Sequence, residues 1–242
     1  MKRTVIGCIT ISVCVGLWQL YANAIDNHYI LPPPMQVGQR LIELLRTPQT
    51  YHIIVASIRR LMVSISFAMI PGIFFGLLAG RMTTIDYALR PLVTTLRTLP
   101  VASVIVIVMI LVGSPITLYV IAFLMLFPLV YEASKQGVLS IDTSINEALS
   151  LESSKRFAFM YSIDLPLAFP YIKTAFLQSF GLGFKVLVMA EFITQAPSSI
   201  GRALYDGTIS IYYDTVFAWT LILIVIVTII ENGFHRLKSN LK

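Results

Sequence analysis

Two ionisable side chains, Lys185 and Glu191, sit six residues apart inside an apolar run from Thr174 to Thr194. A charge at mid-bilayer costs about 2.5–3.5 kcal/mol on insertion scales, so such residues face a polar cavity, a partner or the interface. Six helical steps of about 100° turn these two side chains about 120° apart, which argues against a direct pair within one helix. Lys185 is suited to attract an anionic solute on a translocation path, with Glu191 nearer the outer end of the same run. The structural alternatives are a salt bridge or carbonyl contact at a dimer seam, or snorkelling. Other familiar chemistry is missing from the sequence. No G-x-x-x-x-G-K-[ST] phosphate loop is present, so this chain is not expected to bind ATP or Mg²⁺ itself. His28, His52 and His235 lack metal-ligand spacing, and Cys8 and Cys14 both lie in the first apolar run, so no metal centre or disulfide framework is expected. No catalytic arrangement and no cofactor of its own are indicated.

The elements that must position these residues are membrane helices. Of 242 residues, 57% are hydrophobic and only 12% are charged. Soluble domains carry about 25% charged residues, so a solvated surface cannot be built from this composition. In lipid only helices or closed barrels satisfy the backbone, and these apolar runs are too long and continuous for alternating barrel strands. The expectation is an all-α integral membrane protein with about six transmembrane helices. The candidate spans are Thr4–Asn23, Ser57–Gly80, Val93–Val112, Thr117–Ala133, Thr174–Thr194 and Thr215–Ile230. The net charge of +6 is dispersed at the ends of these runs, which suits topology signals and lipid headgroups and not nucleic acid.

A single domain over 1–242 is expected, divided into an N-terminal helix (1–24), an extracytoplasmic segment (25–56) and core helices (57–232) holding a loop at 134–173. Ala22-Asn23-Ala24 has the look of a cleavage site, but Lys2 and Arg3 followed by an apolar run read as a signal-anchor helix. After Leu31-Pro32-Pro33-Pro34, a short amphipathic helix is expected at the interface, with Val37, Leu41, Leu44 and Leu45 on one side. Gly72, Gly76 and Gly80 form a small-residue stripe for close helix packing. Pro100 and Pro128 are expected to bend spans or end helices, and Pro166 and Pro170 to stop a loop helix.

Basic residues orient the chain. Lys2, Arg3, Arg81, Arg90, Arg97, Lys135, Lys155, Arg156, Lys173, Arg236, Lys238 and Lys242 share one side, against Arg40, Arg46, Arg59, Arg60 and Arg202 on the other. Twelve against five places both termini in the cytoplasm. The one long polar segment, about Ala133 to Lys173, is then cytoplasmic, and loops of that length usually carry function. Two short helices are expected in it, the second holding Phe157, Met160 and Tyr161.

This loop resembles the EAA motif of permease subunits in ATP-binding-cassette importers, whose pattern is E-A-A, three residues, G, nine residues, I-x-L-P. Glu147-Ala148-Leu149 stands at the start, Ser153 at the glycine position, and Ile163, Asp164, Leu165 and Pro166 at the end. Leu149 and Ser153 depart from the pattern. The segments LPPP, ASIRRLMVSISFAMIPGIFFGLLAG, LRPLVTTLRTLPVAS and VMAEF are similar to permeases for nitrate, sulfonates and taurine. Some similar permeases handle thiamine-pyrimidine precursors or riboflavin.

The resemblance implies a type I importer-like fold and a non-catalytic permease subunit in the bacterial cytoplasmic membrane. Two copies, expected to be identical, would form the path and bind two ATPase subunits that hold ATP and Mg²⁺. An extracytoplasmic solute-binding protein or lipoprotein would deliver the solute. It also implies a coupling helix around Lys155–Ser162 that inserts into the ATPase, with Phe157, Met160 and Tyr161 making apolar contact and Lys155 and Arg156 at the rim. Lys185 suits a small organic anion; Trp219, Tyr212 and Tyr213 suit a flat, vitamin-like heterocycle. The alternatives are an ion-gradient-driven secondary transporter using Lys185 and Glu191, and a membrane scaffold.

Overall fold

The computed structural model describes residues 2–25, 27, 30–142 and 160–239 of the chain. Among these residues the structure is helical: α1 (Lys2–Ile25), α2 (Pro34–Arg46), α3 (Pro48–Arg81), α4 (Thr83–Thr98), α5 (Val101–Val112), α6 (Ser114–Leu139), one π-turn (Met160–Asp164), α7 (Leu165–Thr194), α8 (Ile200–Ile209) and α9 (Tyr213–Ser239). Among the described residues four stretches are long and apolar enough to cross a membrane: Pro48–Arg81, Ser114–Leu139, Met160–Thr194 and Tyr213–Ile230. The pair α4 and α5 makes a fifth if taken as one broken span, and α1 adds a shorter apolar stretch, Ile9–Ile25.

The core is built from α3, α6 and α7. Lipid tails are as apolar as leucine, so helices in a bilayer associate through close van der Waals contact, which small residues permit. The Gly72–Gly76–Gly80 stripe of α3 lies against α6: a Cβ at these positions would fall 2.8 Å from Val130 Cβ, 2.5 Å from the Tyr131 carbonyl oxygen and 2.5 Å from Val138 Cβ. Both sets of numbers rise together, so α3 and α6 run parallel. Gly137 meets Ala168 while Gly183 meets Leu126, so α7 runs antiparallel to α6. Leu61, Ile65, Ile121, Leu126, Phe184 and Leu187 fill the space between them. The outlying α1 touches α9 through the stacked rings of Trp18 and Phe217, 5.4 Å apart.

Several boundaries differ from those read in the sequence. The expected span Val93–Val112 is not straight: α4 and α5 meet at 105° across Leu99-Pro100. Pro100 stands just before α5 with extended backbone, and its missing N–H and fixed φ end one helix and begin the next. α3 begins at Pro48, inside the segment assigned to the outside. Its 34 residues would run about 51 Å, well beyond the ~30 Å of a hydrocarbon core. Pro166 lies in the first turn of α7 and does not stop a helix, because a proline there lacks only an N–H that the first turn of a helix can spare. Pro128 and Pro170 lie inside uninterrupted helices. In α2, Val37 is buried and Leu41 and Leu44 pack on the core, whereas Leu45 points outward.

Candidate translocation and coupling sites

The two charged residues of α7 have opposite fates. Glu191, in its last turn, is fully buried. Its carboxylate accepts Ser57 Oγ at 2.9 Å, Arg60 Nη1 at 3.1 Å and the Gly201 N–H at 3.3 Å. Arg60 also donates to the carbonyls of Pro197 (2.8 Å) and Ser198 (3.2 Å), fixing a turn in which Gln195 and Ser198 hold left-handed backbone. Ser57 Oγ accepts the Ile200 N–H at 3.1 Å. The first free N–H groups of α8 are therefore satisfied by α3 and α7, and a helix N-terminus favours the nearby negative charge. Gly201 is required by the close approach, since a Cβ there would fall 2.4 Å from Phe192 N and 2.5 Å from the Val188 carbonyl oxygen. This corrects the expected pathway role of Glu191: its charge is spent inside the chain, bolting α8 to α3 and α7.

Lys185 lies on the exposed face of α7 and makes no ion pair among the described residues. Thr174, Gln178, Leu182 and Met189 share that face at helical spacing. Lys185 is nine residues before the end of α7, about 14 Å along the axis, which puts it near mid-span. Gln178 and Thr174 escaped the sequence reading because an uncharged polar residue hardly lowers the apolarity of a run. The aromatic residues divide too. Trp219 is only 3% exposed and belongs to the core, which removes it as a stacking platform, whereas Tyr212 is open. Both border a cavity of about 300 Å³ between α2, α3, α8 and α9, to which α7 contributes nothing.

At the opposite end of the core, α6 stops at Leu139 and the chain returns at Met160. Glu147, Ala148, Leu149, Ser153, Lys155, Arg156 and Phe157 lie outside the described residues. Of the remaining motif residues, Met160 is 2% exposed and packs with Leu77, Val138, Ile141, Ala168 and Ile172. It plugs the foot of the loop into the core and is not offered as an apolar contact, correcting that expectation. Tyr161 is 60% exposed. Ile163 and Leu165 are half-buried and Pro166 lies in the first turn of α7. Asp164, the variable position of I-x-L-P, is buried and paired with Arg81 of α3, whose Nε donates to Oδ2 at 2.9 Å. One turn into α4, Asp86 accepts Lys135 Nζ and Tyr131 Oη (3.1 Å) from α6. Neither pairing is legible in sequence, because the partners are 83 and 49 residues apart.

A core of closely packed apolar helices, with one polar stripe on its face and a motif-bearing loop at one end, defines a membrane-embedded transport subunit. The chain belongs to the family of binding-protein-dependent transport system inner membrane components, whose model matches residues 72–239. It is similar to the taurine transport system permease protein TauC of Escherichia coli (strain K12), 27% identical over 241 residues, covering 96% of this chain and 86% of that protein. It is 27% identical over 218 residues to the nitrate import permease protein NrtB of Leptolyngbya laminosa, covering 86% and 76%. The bicarbonate transport system permease protein CmpB of Synechococcus elongatus is 25% identical over 202 residues, covering 79% and 72%. The chain is thus a transmembrane permease subunit of a binding-protein-dependent ABC uptake system, which sets aside the ion-gradient and scaffold alternatives.

Proposed function

We propose that two copies of this chain form the path for a small anion, with the Lys185 face of α7 turned toward it. The supporting observation is the polar stripe Thr174, Gln178 and Lys185 on the open face of a span. A mid-bilayer ammonium facing lipid is costly, so this face belongs against a second copy or a watery path, not against lipid. Taurine, nitrate and bicarbonate, named for the relatives, are small solutes with an anionic oxygen group, which a lysine charge attracts. The Arg81 end is cytoplasmic in this reading, and both termini are on that side. There the loop carrying Glu147 to Tyr161 docks an ATPase that holds ATP and Mg²⁺ and performs the hydrolysis. The Glu191 end receives solute from an extracytoplasmic binding protein or lipoprotein. The membrane is the bacterial cytoplasmic membrane.

Uptake in cells carrying the intact system tests this, with labelled taurine, nitrate and bicarbonate as probes and a labelled pyrimidine as the contrasting solute. Wild type should take up at least one anion, Lys185→Ala should lose about tenfold or more, and Lys185→Arg should keep most of the rate. Uptake of the pyrimidine alone, or an anion rate indifferent to Lys185→Ala, would contradict the pathway reading.

A further inference from the structure

Both feet of the cytoplasmic loop are tied to one point, the corner between α3 and α4. On the return side, Asp164 of the π-turn is held by Arg81, the last residue of α3. On the outgoing side, Lys135 and Tyr131 near the end of α6 hold Asp86, in the first turn of α4. The two pairs have opposite polarity: the corner offers a cation to one foot and a carboxylate to the other. Only Met82, in extended backbone, separates the two helices. Met160 adds an apolar plug against Leu77 and Val138 beside the Arg81 pair. α4 packs on α6 through Val93, Leu96, Phe127 and Tyr131, and it leads directly to the 105° break at Leu99-Pro100.

From this arrangement we infer that Arg81 and Asp86 are positioning residues for transport: they carry displacement of the loop into α3 and α4, and through α4 to the break before α5. α6 and α7 are continuous with the loop and feel its movement through the backbone. α3 and α4 are not, so their response must cross side-chain contacts, and these two ion pairs are the charged contacts between the corner and the loop's feet among the described residues. Coupling between distant parts of a protein needs elements with two arrangements, and ion pairs at an edge can be exchanged more readily than a packed core can be rebuilt. This inference rests on the ATPase-docking role proposed for the loop.

The test is a single thiol at the far end of α4. Cys8 and Cys14 are replaced by serine and Thr98, which is exposed, by cysteine. The tagged chain is purified with its ATPase, and the maleimide labelling rate is measured without nucleotide and after trapping with ATP, Mg²⁺ and vanadate. Without further substitution, trapping should change the rate about fivefold or more, the lower range of allosteric coupling. Asp86→Asn and Arg81→Gln should each reduce that change to less than about twofold while the ATPase remains on the column. Arg81→Asp combined with Asp164→Arg should restore most of it, which loss of folding alone would not do. If Asp86→Asn fails to insert, Lys135→Gln removes the same pair from the α6 side with the same expected loss. An unchanged response in the variants, or no response at Thr98 while the ATPase is retained, overturns the inference and leaves the docking role standing. A chain that retains no ATPase before any of these substitutions overturns the docking role and this inference with it.

Discussion

The two ends of the three-helix core are held by charge in different ways. At the Glu191 end a fully buried carboxylate meets an arginine only 15% exposed, and every donor around it is shared with backbone of the turn and of α8. At the Arg81 end one member of each pair reaches the surface further: Arg81 is 29% exposed beside a buried Asp164, and Asp86 is 18% exposed beside Lys135. A buried ion pair cannot lose one member without stranding the other, whereas a partly solvated pair lets water take over. The same kind of interaction therefore makes a bolt at one end and an exchangeable tie at the other. The bolt fixes α8 against the spans; the ties sit where the loop leaves and re-enters the core.

Substitutions can sharpen or break this contrast. The largest effect is expected for Arg60→Ala, which strands the Glu191 carboxylate and should destabilise the folded chain by about 3–5 kcal/mol, read as a lower thermal midpoint in detergent. Gly201→Ala should follow at about 1–3 kcal/mol, because the added methyl meets backbone of α7 that cannot step aside. Asp86→Asn should shift the midpoint by no more than about 1 kcal/mol, its pair being partly solvated, even though its effect on coupling is expected to be large. Tyr161→Ala, at an exposed site, should stay within about 0.5 kcal/mol of wild type. A destabilisation by Asp86→Asn as large as that by Arg60→Ala would erase the distinction between bolt and tie.

The helical class and the apolar character of the segments were legible because they rest on composition and on local spacing. The Gly72–Gly76–Gly80 stripe announced a close helix contact, and its partner α6 came only from the fold. The break at Leu99-Pro100 was half visible: Pro100 marked a disturbance, but nothing local distinguishes a kink from a corner of 105°. Glu191 was misassigned because a charge in an apolar run gives the same signal whether it faces a path or a partner. Its partners Ser57 and Arg60 are more than 130 residues away. Met160 was misassigned for a related reason: an apolar residue in such a segment suits docking and burial equally, and only its packing against Leu77 of α3 and Val138 of α6 decides between them.

Docking of an ATPase by the loop at the Arg81 end underlies both the proposed function and the role of the ties. In its most direct test the tagged chain is purified with the ATPase of its uptake system, and wild type is compared with Phe157→Asp plus Tyr161→Asp. Wild type should retain the ATPase, and the doubly substituted chain should insert normally and lose it. An ATPase absent from wild type, or held equally by both, would contradict the docking role of the loop.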